Sequence, residues 1–188
     1  MAASSGSGWP LFLVVTAAAA TADVLSKDWV FRVHGMPAES APFPIVPPLL
    51  VLEPHLNEGA LFGVGQGMGA LFATVSVAAI VGILTLVARP STRADRWVLV
   101  ALGLIVGGIA GNLYDRLGLP GLRWHAPAGR IGEPVLAVRD WIHFQIPGVL
   151  DWPIFNLADS WLVIGAGMLL LSSFSSRGPA ETEPPAQP

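Results

Sequence analysis

Residues 97–113 read WVLVALGLIVGGIAGNL and run directly into Tyr114-Asp115-Arg116. Seventeen residues without a formal charge are long enough to cross a hydrocarbon core as a helix, which takes roughly 17–25. A spanning segment of one chain is helical because its backbone groups must be satisfied within the segment. Gly103, Gly107 and Gly111 recur every fourth residue, a stripe on which a second helix can approach closely. Gly108, Asn112 and Arg116 are again four apart, so Asn112 and Arg116 share a neighbouring face, while Asp115 extends the glycine stripe. Taken alone, the stripe also reads as a packing face capped by an Asp–Arg pair at the interface. Asn112 asks for more, because an amide in hydrocarbon must find a partner.

Three further stretches resemble this one in length and polarity: about Trp9 to Leu25, Ala70 to Ala88 and Leu157 to Phe174. Of the 188 residues 53% are hydrophobic and only 12% charged, against about 25% charged in an average soluble domain. Mean hydropathy is +0.61. Trp9, Trp29, Trp97 and Trp161 lie near the proposed ends, as an interfacial aromatic belt would. The first stretch contains an Ala18-x-Ala20 pattern, but no Lys or Arg precedes it in Met1 to Gly8. A cleaved signal peptide needs a basic start, so this segment is expected to stay as an anchor. The expected fold is an all-α membrane protein of four transmembrane helices with a small β platform on its outer face. Residues 1–175 should form one integral-membrane unit.

The connection from Ala88 to Arg96 holds Arg89, Arg93 and Arg96, the densest basic cluster in the chain. Short basic loops stay cytoplasmic. Both termini are then cytoplasmic, and the long loops Ser26 to Gly69 and Tyr114 to Asn156 face outward. Those loops hold six of the ten basic residues, spread over many more positions. In the first loop Pro42, Pro44, Pro47, Pro48 and Pro54 break helix, which makes Ile45 to Leu52 extended if regular. The loop closes on Asn57-Glu58-Gly59, a turn signal. The end of the second loop, Val138 to Ile146, fits either a strand or a short interfacial helix. From Ser172 on the composition turns Ser-, Pro- and Glu-rich, and 176–188 are expected as a disordered cytoplasmic tail.

Four aspartates, Asp115, Asp140, Asp151 and Asp159, fall close to the ends of apolar stretches. A carboxylate at such depth is expensive unless compensated, which makes each a candidate for function. Asn156, Asp159 and Ser160 are spaced i, i+3, i+4 and point the same way. Asn156 has the better position for a helix cap, and Asp159 lies deeper than a cap requires. Asp23 and Lys27, four apart, could simply neutralise each other. The net charge of −3 without a basic block offers no footprint for nucleic acid. With no cysteine there is no thiolate nucleophile. His34, His55, His125 and His143 are scattered without an H-E-x-x-H, and no G-x-S-x-G occurs. A non-catalytic channel, transporter or assembly factor with buried aspartates stays open on these grounds.

Five segments in order resemble lipoprotein signal peptidase, the signal peptidase II family of bacterial aspartic membrane proteases. They are Asp23-Val24-Leu25-Ser26-Lys27, Asn57-x-Gly59-Ala60-x-Phe62, Gly107-Gly108-x-x-Gly111-Asn112-x-x-Asp115-Arg116, Arg139-Asp140-Trp141-Ile142 and Phe155-Asn156-x-Ala158-Asp159. The resemblance covers about Val14 to Leu169. It implies Asp140 and Asp159 as a catalytic dyad that needs no metal or other cofactor. Asn57, Asn112, Arg116 and Asn156 would line the site and hold substrate. Asp23, Lys27, Gly59, Gly108 and Asp115 would support it, with Asp115 paired to Arg116 or another basic group. The implied substrate is a diacylglyceryl-modified prolipoprotein, cut before its lipidated cysteine at the outer face of the bacterial inner membrane by a monomer in contact with membrane lipid. Asp151 has no counterpart in the pattern. The chain departs from the pattern at Glu58, where a small polar residue is usual, at Leu61 and Trp141, and at Leu117 to Val138, 22 residues standing where a short turn is normal.

Overall fold

Helix α1 (Trp9–His34) does not stop where hydropathy does. The computed structural model, which describes residues 8–59 and 65–175, carries this helix nine residues beyond the expected end at Leu25. The sequence breaks its apolar run at Asp23 and Lys27, yet these two pair at 2.7 Å inside the bundle. An ion pair one turn apart lets a helix continue where a lone charge would end the span. Gly35 ends it, at φ +77°, a backbone state that a side chain disfavours.

Strands β1 (Phe43–Val46) and β2 (Leu50–Asn57) follow, then α2 (Gly69–Val87), the short α3 (Pro90–Ala94) and α4 (Arg96–Arg116). Strands β3 (Val138–Ile146) and β4 (Leu150–Asp151) precede α5 (Leu157–Ser175). The four long helices are each long and apolar enough to cross a membrane. Of the two readings open for Val138 to Ile146, the strand is the one found, because it pairs on both edges. The helical course of Ser172 to Ser175 belongs to α5, although its composition reads as tail. Met1–Ser7, the Ala60–Val64 part of the N-x-G-A-x-F segment and the expected tail 176–188 lie outside the described residues.

Helix α4 is central. It packs on α1 and α5 and less extensively on α2, and the glycines dictate how closely. A Cβ at Gly107 would sit 2.6 Å from the Ala19 Cβ and 2.9 Å from the Thr16 carbonyl oxygen on α1. A Cβ at Gly108 would sit 2.5 Å from the Ala158 carbonyl oxygen on α5. Gly165 of α5 returns the favour, with the Ala101 carbonyl oxygen 2.7 Å from its missing Cβ. The small-residue stripe is therefore a two-sided packing device. The Asp95 carboxylate caps α4 by accepting from the N–H of Trp97 at 2.9 Å and of Val98 at 3.1 Å. Helix α2 lies outermost, leaving Leu71, Val75, Val77 and Val81 about half exposed, as a lipid-facing helix would.

The strands form one antiparallel sheet in the order β1-β2-β3-β4. It stands at the end of the bundle where α1 and α4 finish and α2 and α5 begin. The β2–β3 register slips between Leu52 and His55, so that His55 faces Asp140 and Asn57 faces Val138. Pro54 sits inside that slip and has no N–H to donate. The bulge thus sets which residues of β2 stand beside Asp140.

Candidate active site

Asp140 reaches the interior from β3 and Asp159 from the first turn of α5. Successive strand residues point to opposite faces, which splits the adjacent pair Arg139 and Asp140. Both are buried, at 2% and 1% exposure. Asp140 accepts from the Asn57 side-chain amide at 3.1 Å and from that of Asn156 at 2.6 Å. Asp159 accepts from the Asn112 amide at 2.9 Å. The Asn156 amide also reaches the Asn112 side-chain oxygen at 3.1 Å. The two carboxylates are therefore joined through a pair of asparagines, one from each of the segments flanking them.

The start of α5 explains how Asp159 is held. Asn156 accepts from the Asp159 N–H at 3.0 Å, and Asp159 accepts in return from the Asn156 N–H at 3.3 Å. This is the reciprocal arrangement of a capping box. Asn156 is the cap that its position in the sequence suggests, and Asp159 supports the cap while its other oxygen faces Asn112.

Behind the two carboxylates runs a line of alternating charge. Lys27 Nζ lies 2.7 Å from Asp23, 3.0 Å from Asp115 and 2.9 Å from the Asn112 side-chain oxygen to which it donates. Asp115 in turn accepts from Arg139 Nε at 2.8 Å, and Arg139 reaches Asp28 at 2.6 Å. Asp23 accepts from the Ala158 N–H at 2.9 Å, at the residue before Asp159. Every member except Asp28 is essentially inaccessible. Such groups are tolerated in a low-dielectric interior only when paired and hydrogen-bonded. Asp115 is thus paired with Lys27 and Arg139, and its sequence neighbour Arg116 turns elsewhere.

Arg116 donates to the Gly59 carbonyl at 3.1 Å, and its guanidinium lies 5.3 Å from the centre of the Phe72 ring. The Gly59 N–H donates to the Asn57 side-chain oxygen at 3.0 Å, which closes the turn after β2. A cleft of about 80 Å³ opens between these parts, lined by Asn57, Asn112, Arg116, Asp140 and Asp159, with Trp152 to Phe155 as a wall. All six proposed dyad and lining residues come together here, since Asn156 bonds two of the side chains in the cleft. Gly108 and Asp23 act from behind, against α5. Asp151 does not line the cleft; it is exposed and bonds His143 Nε2 at 2.7 Å.

Two contributors went unassigned from sequence. Arg139 carries no role in the motif reading, and only its alternation with Asp140 on a buried strand hints that it points into the charged interior. Of the wall Trp152 to Phe155 only Phe155 falls within a motif; the rest carries no local signal and is placed by the pairing of Ile142 with Phe155. Burial pushes the Asp140 carboxyl up to about 7, helped by the Asp159 charge and opposed by the hydrogen bonds from Asn57 and Asn156. A carboxyl so held carries a proton near neutral pH beside a second carboxylate, which is the pairing that lets one group give and the other take a proton. Among the described residues no three His, Asp or Glu side chains gather as metal ligands.

The family model for signal peptidase II matches residues 15–175. A lipoprotein signal peptidase of Rhodopirellula baltica is 40% identical over 177 residues, covering 92% of this chain and 77% of that protein. The lipoprotein signal peptidase of Bacillus subtilis is 31% identical over 140 residues, or 74% of this chain and 79% of that one. A bacterial membrane enzyme solved by the in meso method at 2.3 Å shares the fold, with a TM-score of 0.70 over 92% of this chain and 94% of its own, at 23% identity. With four helices fit to span a membrane and a family match over most of its length, the chain is a membrane protein that belongs to the signal peptidase II family of aspartic proteases.

Proposed function

We propose that the chain is an aspartic endopeptidase that removes the signal peptide from diacylglyceryl-modified prolipoproteins, cutting just before the lipidated cysteine. The observation that carries this is the opening of Asp140 and Asp159 into one cleft, cross-linked by Asn112 and Asn156. The pair holds one proton. Its ionised member takes a proton from a water molecule, whose oxygen adds to the scissile carbonyl carbon, while the protonated member donates to the carbonyl oxygen. Collapse of the tetrahedral intermediate breaks the C–N bond, and the leaving amine takes a proton from the pair. Because the proton belongs to both groups, neither aspartate alone is the base. Asn57 and Arg116 line the cleft where charge develops on the carbonyl oxygen, and a well-placed donor there is worth roughly 3–4 kcal/mol. Asn112 and Asn156 fix the carboxyl orientations.

Residues 1–175 form the peptidase domain in this reading and 176–188 a cytoplasmic tail. The sheet and cleft face outward across the bacterial inner membrane, and both termini face the cytoplasm. The three arginines of the α2–α4 connection support that orientation, since they lie at the end opposite the sheet. The acyl chains of the substrate rest between helices in the bilayer, which explains how a lipid-bearing substrate is held with so little chain outside the membrane. The protein works as a monomer, without metal or nucleic acid.

The test is cleavage of a lipidated prolipoprotein by the purified protein. Parent protein should release the signal peptide, and Asp140→Asn and Asp159→Asn should each lower turnover at least about a thousandfold while still inserting and folding. A channel, transporter or assembly factor would leave the precursor whole in every case.

A further inference from the structure

The two main departures from the family pattern touch each other. Residues 117–138 leave the end of α4 and return to β3 as a closed loop. Leu122, Trp124, Val135 and Ala137 pack into one cluster with Val30, Phe31 and Met36 at the end of α1. Arg123 pairs with Pro134 across the loop, and His125 Nδ1 lies 2.7 Å from Glu39 after α1. The loop is therefore anchored along both legs. From its tip Arg130 stacks on Trp124 at 4.2 Å and reaches back to Glu58, with Nη1 2.9 Å from one carboxylate oxygen and 3.0 Å from the other. Glu133 holds Arg130 Nε at 3.2 Å.

Glu58 sits between the two residues that tie this turn to the cleft. Asn57 donates to Asp140, and the Gly59 carbonyl accepts from Arg116. A second, larger cleft of about 730 Å³, between the loop and α2, includes Glu58, Arg130 and Arg116 in its lining. The Arg130–Glu58 pair thus stands between two spaces that share Arg116.

We propose that the inserted loop takes part in the reaction through the Arg130–Glu58 pair, which clamps the Asn57–Gly59 turn against the dyad and makes Arg130 and Glu58 positioning residues. The inference rests on the proposed function. Both side chains are about one-third exposed, and ion pairs at such positions add little to stability. Their loss is therefore read in turnover rather than in unfolding. In the proposed function the acyl chains rest between the helices, away from this pair, so KM is spared.

The experiment uses the full-length protein in detergent, with a lipidated prolipoprotein as substrate and the variants Glu58→Gln, Arg130→Gln, the double variant, and Arg130→Lys. Each glutamine variant should lose about tenfold in kcat, since misplacing a group near the chemistry costs up to about a hundredfold. KM and the unfolding temperature should stay within error. The double variant should be no worse than either single one, the mark of a shared interaction, and Arg130→Lys should recover part of the loss. Weaker contact from Asn57 also raises the pH at which the dyad loses its proton, so the alkaline limb of kcat moves up. Arg89→Gln, at an exposed site at the opposite end of the bundle, should match the parent. A parent that leaves the precursor uncut sinks the proposed function and the clamp together. A parent that cuts, with variants equal to it or losses that multiply in the double variant, sinks the clamp alone.

Discussion

The side-chain amide of Asn156 donates to Asp140 across 2.6 Å, although 16 residues and a change from strand to helix separate them. The same nitrogen reaches Asn112, and the same residue caps α5. One asparagine thus fixes the direction of both carboxylates. Asn156→Ala should cut kcat by about 10²–10³, the range for deleting a preorganised donor. Because a lost cap costs only about 1 kcal/mol, circular dichroism should still report a folded protein. Steady-state assays would refute this role if Asn156→Ala lost less than threefold.

The raised Asp140 carboxyl gives the pH dependence a definite sign. Its ordinary value is 3.8 and its folded value about 7. The folded state binds the proton more tightly than the unfolded chain. The stabilisation is thus complete below 3.8 and lost as pH rises through about 7. Turnover should fall over the same alkaline range as the pair loses its shared proton. Asp140→Asn should flatten the change in unfolding temperature between pH 6 and 8. A parent and variant with identical slopes there would contradict the assignment.

Lys27 is the only cation within reach of both Asp23 and Asp115 that α1 supplies. Replacing it with Met leaves two buried carboxylates short of a partner, which costs about 3–5 kcal/mol. Lys27→Met should be recovered in low yield and unfold at a much lower temperature. Adding Asp23→Asn to it should restore part of the loss, and thermal unfolding in detergent measures both.

Gly108 meets backbone rather than a flexible side chain. A methyl group there would press on the Ala158 carbonyl oxygen, one residue before Asp159. Gly108→Ala should push α4 from α5, destabilise by about 1–3 kcal/mol, and lower kcat as Asp159 shifts from Asn112. Unchanged kcat in a destabilised variant would show that the glycine serves packing alone.

Asp151, also an aspartate of the second long loop, stands outside the cleft. Its carboxylate is exposed and bound to His143, so Asp151→Asn should retain cleavage within a few-fold. An inactive Asp151→Asn beside an active Asp140→Asn would reverse the assignment.

Much of this arrangement was legible in the chain. The four spans follow from runs of apolar residues, because a hydrocarbon core sorts segments by length and polarity alone. The Asp23–Lys27 pair and the shared face of Asn112 and Arg116 follow from helical period. So does the glycine stripe, whose closeness to α1 and α5 is set by how the helices pack. The family resemblance implies one site for Asn57, Asp140 and Asp159 from the order of the motifs alone.

What local sequence does not contain is the partner across the bundle. Asp115 precedes Arg116, yet it pairs with Lys27, 88 positions earlier, and with Arg139, 24 positions later. Arg139 carried no local mark of its role, and Glu58 none of its contact with Arg130. Hydropathy and period fix which residues enter the interior, since burial is a property of each segment. Only the packed helices and sheet decide which charge meets which, because a buried ion must be neutralised by whatever the fold brings within about 3 Å.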